Sequence, residues 1–249
     1  MRLARFRSSW TDMVALAVGA MLLGAVPAHA TMVTFTASGV DSTNQPMDAS
    51  ATITVNDGAV VVQLTNLEAN VTSAVQEISG IQITLGGLSS TGAVALTSAT
   101  GTLININSNG SYFTSWSSIN QWGTSTSGGT LTLSTNTNDL IIGAPDSNNL
   151  YSNSDNSISS NDPTIQNTGT FYLTVANATS ATSITNAVFS FGTGASDPWV
   201  NGSTNSSQVP EPTSLLMFGT ALLALAALLA RGRRMRRAAR QVVGQTAAV

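Results

Sequence analysis

The chain of 249 residues has no cysteine and no lysine, and its single histidine is His29. Without cysteine it can form neither a disulfide nor a thiolate metal site. Without lysine, or histidine beyond residue 30, it can form no Ser-His-Asp or Cys-His arrangement and no Schiff-base lysine. The region after residue 30 therefore keeps only carboxylates as conventional catalytic groups. It must also be held together by core burial alone, for which its length suffices.

Positive charge is also missing from the centre of the chain. Residues 31–210 carry ten Asp or Glu and no Lys or Arg, and the nine arginines lie near the two ends. Binding to nucleic acid or to an anionic membrane surface needs clustered cations. We therefore predict that residues 31–210 bind no nucleic acid.

Residues 1–30 have the features of a secretory signal peptide. Three arginines precede an apolar run over residues 13–28, and Ala28-His29-Ala30 fits an A-x-A cleavage site. An uncleaved N-terminal anchor is the alternative, although no stop-transfer pattern follows. We expect the mature chain to begin near Thr31.

Residues 31–200 show the pattern of an all-β domain, with short runs rich in Thr, Ile, Val and aromatic residues between Gly, Asn and Ser. The clearest hairpin joins Ser50–Val55 to Ala59–Leu67 through Asn56-Asp57-Gly58. We predict a β-sandwich or jelly-roll-like fold; a β-solenoid is the alternative, but no fixed period supports it. Residues 68–77 could form a helical turn. Further strands are predicted at residues 31–37, 80–85, 92–96, 101–106, 129–133, 140–142, 170–175 and 183–191.

Two segments are too polar to form strands that contribute to the hydrophobic core. Residues 136–167 are dominated by Asn, Ser and Asp and are predicted to form a long surface excursion around one short strand. Residues 201–208 are predicted to be a polar linker.

Residues 209–240 have the order of a membrane-spanning tail. Pro210, Glu211 and Pro212 precede an apolar run of sixteen residues, 215–230. As a helix this run spans ~24 Å, against a hydrocarbon core of ~30 Å, which makes a short transmembrane helix. A buried core helix is the alternative, but the run lacks a polar face. The arginine block that follows would stay cytoplasmic and place the preceding domain across the membrane: it contains Arg231, Arg233, Arg234, Arg236 and Arg237.

The order Pro-Glu-Pro, short span and arginine block resembles a PEP-CTERM sorting signal, here followed by an extra tail, residues 241–249. The resemblance implies recognition by an exosortase, an integral-membrane enzyme of Gram-negative bacteria. It also implies membrane anchoring until processing, then delivery to the cell surface or to an extracellular polysaccharide matrix. These expectations describe a route and leave the molecular activity open.

The carboxylates suggest two kinds of chemistry. Asp146, Asp155 and Asp162 lie in the polar excursion and could hold calcium, which needs only oxygen ligands. The alternative is a solvated loop, because EF-hand spacing is absent. Two carboxylates could also hydrolyse a glycosidic bond. No pair stands out for this reaction, since most of the acids stand among turn-forming residues.

Four aromatic residues lie within one short stretch of the sequence: Tyr112, Phe113, Trp116 and Trp122. Such rings can stack on sugars, with neighbouring Asn, Gln and Ser supplying hydrogen bonds. We consider Tyr112, Trp116 and Trp122 a candidate glycan platform. The alternative is that the rings pack in the core.

Taken together, the sequence predicts an exported, non-enzymatic protein with a structural or adhesive role and no assigned catalytic residue. A carbohydrate- or calcium-binding β-sandwich module is the alternative, and a carboxylate-based glycoside hydrolase a more remote one. The expected partners are an exosortase, the membrane and an extracellular polysaccharide. Calcium is the one cofactor considered.

Overall fold

The computed structural model describes residues 30–204 except residues 43, 136, 152–155 and 194–197. These residues belong to one compact unit, Ala28–Ser206. In this described part of the chain, helix is confined to a 3-10 turn, Ala74–Gln76, and the four-residue helix α1, Asn156–Ser159. The strands are β1 Thr31–Val40, β2 Pro46–Asn56, β3 Ala59–Asn66, β4 Ile78–Gly86, β5 Val94–Ile106, β6 Tyr112–Thr114, β7 Gly123–Ser127, β8 Thr130–Ser134, β9 Ile141–Ile142, β10 Thr164–Val175, β11 Ser183–Phe191, β12 Trp199–Asn201 and β13 Ser203–Thr204.

All thirteen described strands belong to a single mixed sheet with the order β12-β11-β4-β9-β10-β3-β2-β1-β13. Outside this path, β5 pairs with β10 and β6, and β8 pairs with β4 and β7. The short β9 joins the two halves of this sheet, β12-β11-β4 on one side and β10-β3-β2-β1-β13 on the other. It runs parallel to β10, and its Ile141 also pairs with Ile78 of β4. The prediction of an all-β domain is confirmed. Two separate sheets of a sandwich are not shown, since hydrogen bonds through β9 join all these strands.

The predicted hairpin between β2 and β3 is confirmed. Asn56 pairs with Ala59, which leaves Asp57 and Gly58 as the two turn residues. Gly58 has a φ of 72°, the left-handed region that glycine enters without steric cost. The Asp57 carboxylate accepts the backbone N–H of Ser180 at 2.6 Å, so this turn is tied to the loop after β10.

The main core is built from alternate residues of the strands, as a half-buried sheet requires. On β2 and β3, Ala51, Ile53, Val62 and Leu64 are fully buried, while their neighbours in sequence face outward. They lie in one cluster with residues from the other half of the sheet, including Ile81, Leu131 and Phe189. The two halves therefore bury their apolar faces in a common core.

A second, smaller cluster lies under the polar excursion. It consists of Val71, Ile104, Ile106, Ile142, Tyr151 and Ile158. Residues 136–167 are therefore not only a surface excursion, because three members of this cluster come from within them. The hydroxyl of the fully buried Tyr151 donates to the carbonyl of Gly143 at 2.9 Å, which satisfies its polar end.

Other strand predictions were correct in position but incomplete. The two runs at residues 92–96 and 101–106 fall on one strand, β5, which pairs with β10 on both sides of a register shift at Gly101. The strands β6 and β7 were not predicted, because β6 (Tyr-Phe-Thr) is only three residues long and the Ser- and Thr-rich β7 lacks alternating apolar residues. The helical turn predicted within residues 68–77 is the 3-10 turn, with Ser73 as its N-cap.

The first residues of the predicted polar linker are part of the sheet. In β12, Asn201 pairs with Val188 of β11, and in β13, Thr204 pairs with Phe35 of β1. These residues form strands and not a linker because strand pairing uses backbone hydrogen bonds, which polar side chains do not prevent. Residues 205–208, the predicted signal peptide apart from Ala30, the sorting motif, the predicted transmembrane helix and the arginine block lie outside the described residues. Within the described part of the chain, no helix is long and apolar enough to cross a membrane.

Candidate functional site

Trp122, one of the three residues of the candidate glycan platform, is part of the core. Its side chain is only 5% exposed, and its ring packs on Phe171 with the centroids 4.4 Å apart. The indole N–H donates to the backbone carbonyl of Asp139 at 2.8 Å. Trp122 is thus unavailable for stacking on a ligand, and for this residue the core alternative is correct.

Tyr112 begins β6 and is half-buried against the second cluster. Its ring meets Tyr151 edge-on, with the centroids 5.5 Å apart. The Tyr112 hydroxyl donates to the side-chain carbonyl of Asn149 at 2.7 Å. Tyr112 therefore links β6 to the turn at residues 146–150, and only part of the ring faces solvent.

Phe113 and Trp116 form the accessible part of the aromatic segment. Phe113 is 55% exposed and Trp116 is fully exposed. Phe113 lies in β6, which pairs with β5 alone among the described strands, and Trp116 follows two residues after this strand. The chain between them is anchored by the bond from the Ser115 N–H to the carbonyl of Leu103. Because the backbone is already anchored, only the side-chain torsions of these rings would have to be ordered when a planar ligand face binds.

Asp139 holds the far end of this aromatic loop and was not identified from the sequence. Its side chain is buried, and one carboxylate oxygen accepts the N–H groups of Asn120 and Gln121 at 2.8 and 3.0 Å. Its φ of 60° lies in the left-handed region, which Asp tolerates better than most residues. Asp139 therefore positions the loop of Trp116 without touching Trp116 itself.

The acidic residues considered for calcium have separate roles. The Asp146 carboxylate caps its own turn, accepting the N–H groups of Asn148 and Leu150 at 2.9 Å each. Asp155 lies outside the described residues. Among the described residues, no group of three or more His, Cys, Asp or Glu side chains is close enough together to hold a metal ion.

Asp162 lies where the polar excursion returns to the sheet, before the cis peptide bond to Pro163. One carboxylate oxygen accepts the N–H of Ile106 at 2.7 Å, whereas the other is buried without a hydrogen-bond partner. Burial raises the pKa of Asp162 to about 6, although the Ile106 hydrogen bond acts in the opposite direction. This carboxyl therefore titrates well above the usual range of an aspartate.

Asp48 and Glu68 bring two carboxylates together at one end of the β2–β3 hairpin. The backbone N–H of Asp48 donates to the Glu68 carboxylate at 2.8 Å. Burial raises the pKa of Glu68, and the charge of Asp48 raises it further. An acid with a raised pKa beside a second carboxylate has the chemistry of a general acid, but one Glu68 oxygen already holds the Asp48 backbone.

A family model described as the PEP-CTERM protein-sorting motif matches residues 208–237. This match includes Pro210, Glu211, Pro212 and the arginines from Arg231 to Arg237, and it confirms the resemblance. Neither the curated proteins nor the solved structures gave a match to the chain. The motif indicates an exported protein that an exosortase, a membrane enzyme, processes for the cell surface or the extracellular space.

Proposed function

We propose that this protein is a structural or adhesive component of an extracellular polysaccharide matrix. The observation that carries the proposal is the PEP-CTERM motif at residues 208–237, which indicates the route of export. We further propose that the run at residues 215–230 anchors the protein in the membrane until an exosortase processes it. The arginine block would retain the last residues on the cytoplasmic side.

The composition of the exported domain supports a role without catalysis. Residues 31–210 contain no histidine, cysteine, lysine or arginine, so the common nucleophile–base pairs cannot form there. The domain presents strands whose solvent faces are rich in Thr and Ser, as in the hydrogen-bonded pairs Thr34–Thr52 and Thr65–Thr168. Uncharged hydroxyl surfaces of this kind suit a hydrated, sugar-rich environment. An anionic domain would, in addition, remain soluble during export.

Matrix association can be tested in the native host with the full chain. We expect the wild type to fractionate with the extracellular matrix and to be released by enzymes that digest its polysaccharide. A chain that ends at Gln208 should instead stay outside the matrix fraction, because it lacks the sorting motif. If the wild type is free in the medium before any digestion, the structural or adhesive role is wrong.

Glycan binding through Phe113 and Trp116 is the second candidate function. The full exposure of Trp116 on an anchored loop favours it, and a few exposed aromatic rings can suffice for stacking on sugars. A glycan array probed with the exported protein, with and without calcium, tests this candidate. Trp116→Ala should abolish the signal, whereas Trp199→Ala, which removes another exposed indole on β12, should preserve it. Equal signals from both variants would exclude this site.

A further inference from the structure

The outer side of the larger half of the sheet carries a regular array of side chains. Its five main strands pair antiparallel in the order β5-β10-β3-β2-β1. Directly paired residues of such strands point to the same side of the sheet, and successive residues point to opposite sides. The paired residues Phe171, Val62 and Ile53 are buried in the main core, so the rows on either side of them point outward.

Three outward rows form what we call the hydroxyl face. From β5 to β1, the central row contains Thr100, Thr170, Gln63, Thr52 and Thr34. The row nearer the β2–β3 turn contains Ser98, Tyr172, Val61, Thr54 and Met32. The third row, from β10 to β13, contains Thr168, Thr65, Ser50, Thr36 and Ser203.

Ser and Thr dominate this face. The turn-side, central and third rows contain two, four and five of them, so they occupy eleven of the fifteen positions. Every member of the three rows is half-buried or exposed, as expected for the solvent side of a sheet. Neighbours within a row are ~4.8 Å apart and successive rows are ~6.7 Å apart. A ligand that lies on the face therefore meets hydroxyl groups at regular intervals.

Charge is absent from the hydroxyl face. Of the residues in the five strands only Asp48 is charged, and it pairs with Ser38 in the row beyond the face. Residues 31–210 nevertheless carry ten acids and no Lys or Arg. A polyanion would be repelled by the domain as a whole and would find no cation on this surface. The distribution of charge therefore favours an uncharged partner.

The composition of the face is also unlike that of a protein interface. Protein interfaces are depleted in Ser, and Ser and Thr are rare among the residues that dominate binding energy. The exposed rings and apolar side chains of the face are few, chiefly Tyr172 at 42% and Met32 at 58% exposure. A hydroxyl group both donates and accepts hydrogen bonds, as the hydroxyl groups of a sugar do. The Tyr172 ring adds one surface on which a sugar could stack.

The dimensions of the face fit a polymer chain. The central row crosses four strand spacings, or ~19 Å, which is longer than one sugar ring. Adjacent strands of a sheet are rotated by ~20°, so five strands do not present the plane that a crystalline surface would need. A single hydrated chain can follow such a twisted row.

We propose that the hydroxyl face binds an uncharged polysaccharide chain of the extracellular matrix. The chain would cross the strands and form hydrogen bonds with Thr170, Gln63 and Thr52 at the centre of the face. This inference rests on the proposed structural or adhesive role, for which it names the binding surface and the class of ligand. The surface is separate from Phe113 and Trp116, which lie in β6 and after it, outside the three rows.

Removal of central hydroxyl groups tests the proposal. Thr52→Val/Thr170→Val replaces two hydroxyls by methyl groups and keeps β-branched residues that favour strands. Thr84→Val/Thr132→Val is the matched control, because these half-buried threonines lie on the outer side of β4 and β8 in the smaller half. Thermal melting of each exported variant would show that both pairs fold.

The probe is the extracellular polysaccharide of the native host, separated by anion exchange into an uncharged and an acidic fraction and immobilised. We expect the exported wild type and the control pair to bind the uncharged fraction equally. Thr52→Val/Thr170→Val should bind it about ten-fold more weakly, because two hydrogen bonds are lost. The acidic fraction should bind the wild type less well than the uncharged fraction does.

The inference is overturned if Thr52→Val/Thr170→Val binds like the wild type, or if the wild type prefers the acidic fraction or binds neither fraction. Weak binding by Trp116→Ala would then assign the ligand to the aromatic segment. A wild type that sediments as a dimer, with Gln63→Glu as a monomer, would show that a second copy covers the face and would also overturn the inference. If the wild type is absent from the matrix fraction, the proposed function itself fails, so the two failures are distinguishable.

Discussion

The indole N–H of Trp122 donates to the backbone carbonyl of Asp139 at 2.8 Å, and this bond joins the end of the aromatic loop to the start of the polar excursion. Because the same aspartate binds the N–H groups of Asn120 and Gln121, the loop is held at three points by a single residue. This arrangement buries Trp122 on Phe171 and leaves Trp116 in solvent. Two tryptophans six residues apart therefore have opposite roles.

Alanine substitution at each of the two tryptophans should separate these roles. Trp122→Ala removes a buried ring and leaves a cavity beside Phe171, so we expect the free energy of unfolding to fall by about 3–5 kcal/mol. Trp116→Ala removes a ring without packing partners and should change it by less than about 0.5 kcal/mol. Urea denaturation followed by circular dichroism measures both. Similar losses for the two variants would contradict the assigned positions.

The sequence was sufficient to predict strands and their pairing where hydrophobic alternation and turn-forming residues agreed. Ser50–Val55 alternates strictly and is followed by Asp57-Gly58, so the hairpin was predicted with its turn residues. The sequence was insufficient where contacts between distant residues determine whether a side chain is buried. Nothing near Trp122 in sequence indicates that its hydrogen-bond partner lies seventeen residues later, in a polar segment.

The carboxylate pair Asp48–Glu68 was missed for a similar reason. The two residues are twenty positions apart and meet only because the β2–β3 register places the start of one strand beside the end of the other. The single mixed sheet also depends on a two-residue strand, β9, which is too short for periodicity to assign its partners. Sequence patterns show which face of a strand is buried, and a tight turn identifies a hairpin pair, but neither assigns the partners of strands that are distant in the sequence.

Mild acid should stabilise the domain through Asp162. Burial raises the pKa of Asp162 from its ordinary 3.8 to about 6, so the folded state binds the proton more tightly than the unfolded state. The stabilisation is fully present below the unfolded-state pKa and is lost as the pH rises through about 6. After allowing for solvent screening of this half-buried group, we expect a gain of about 1 kcal/mol between neutral pH and pH ~4.

The variant Asp162→Asn removes this titration, so thermal melts should show a smaller rise in Tm between neutral pH and pH ~4. Part of the rise should remain, because the pKa of Glu68 is also raised. Asp57→Asn is the matched control. The Ser180 backbone N–H holds the pKa of Asp57 below its usual value, so this substitution should leave the rise in Tm intact. An undiminished rise in Asp162→Asn would contradict the assignment.

Salt should also stabilise the domain. Residues 31–210 carry ten acids and no Lys or Arg, so their charges repel one another and no acid–base side-chain pair offsets the repulsion. Raising the ionic strength from about 0.01 M to 0.15 M shortens the Debye length from ~30 Å to ~8 Å. We expect the Tm at neutral pH to rise over this range in sodium chloride. Sucrose at equal osmolality is the control for solvent exclusion, and a Tm that falls steadily with salt would refute the prediction.

We infer that the C-terminal motif directs processing of an exported protein. The most direct test is the intact mass of the protein recovered from the surface and membrane fractions of the native host, for the wild type and for Glu211→Ala. Pro210 and Pro212 disfavour helix before the apolar run, so residues 209–212 should offer the enzyme an extended segment in which Glu211 serves recognition. We expect a wild-type surface form that lacks the tail and a Glu211→Ala form that keeps the tail in the membrane fraction. Equal amounts of both proteins with the tail intact through Val249 would contradict this inference.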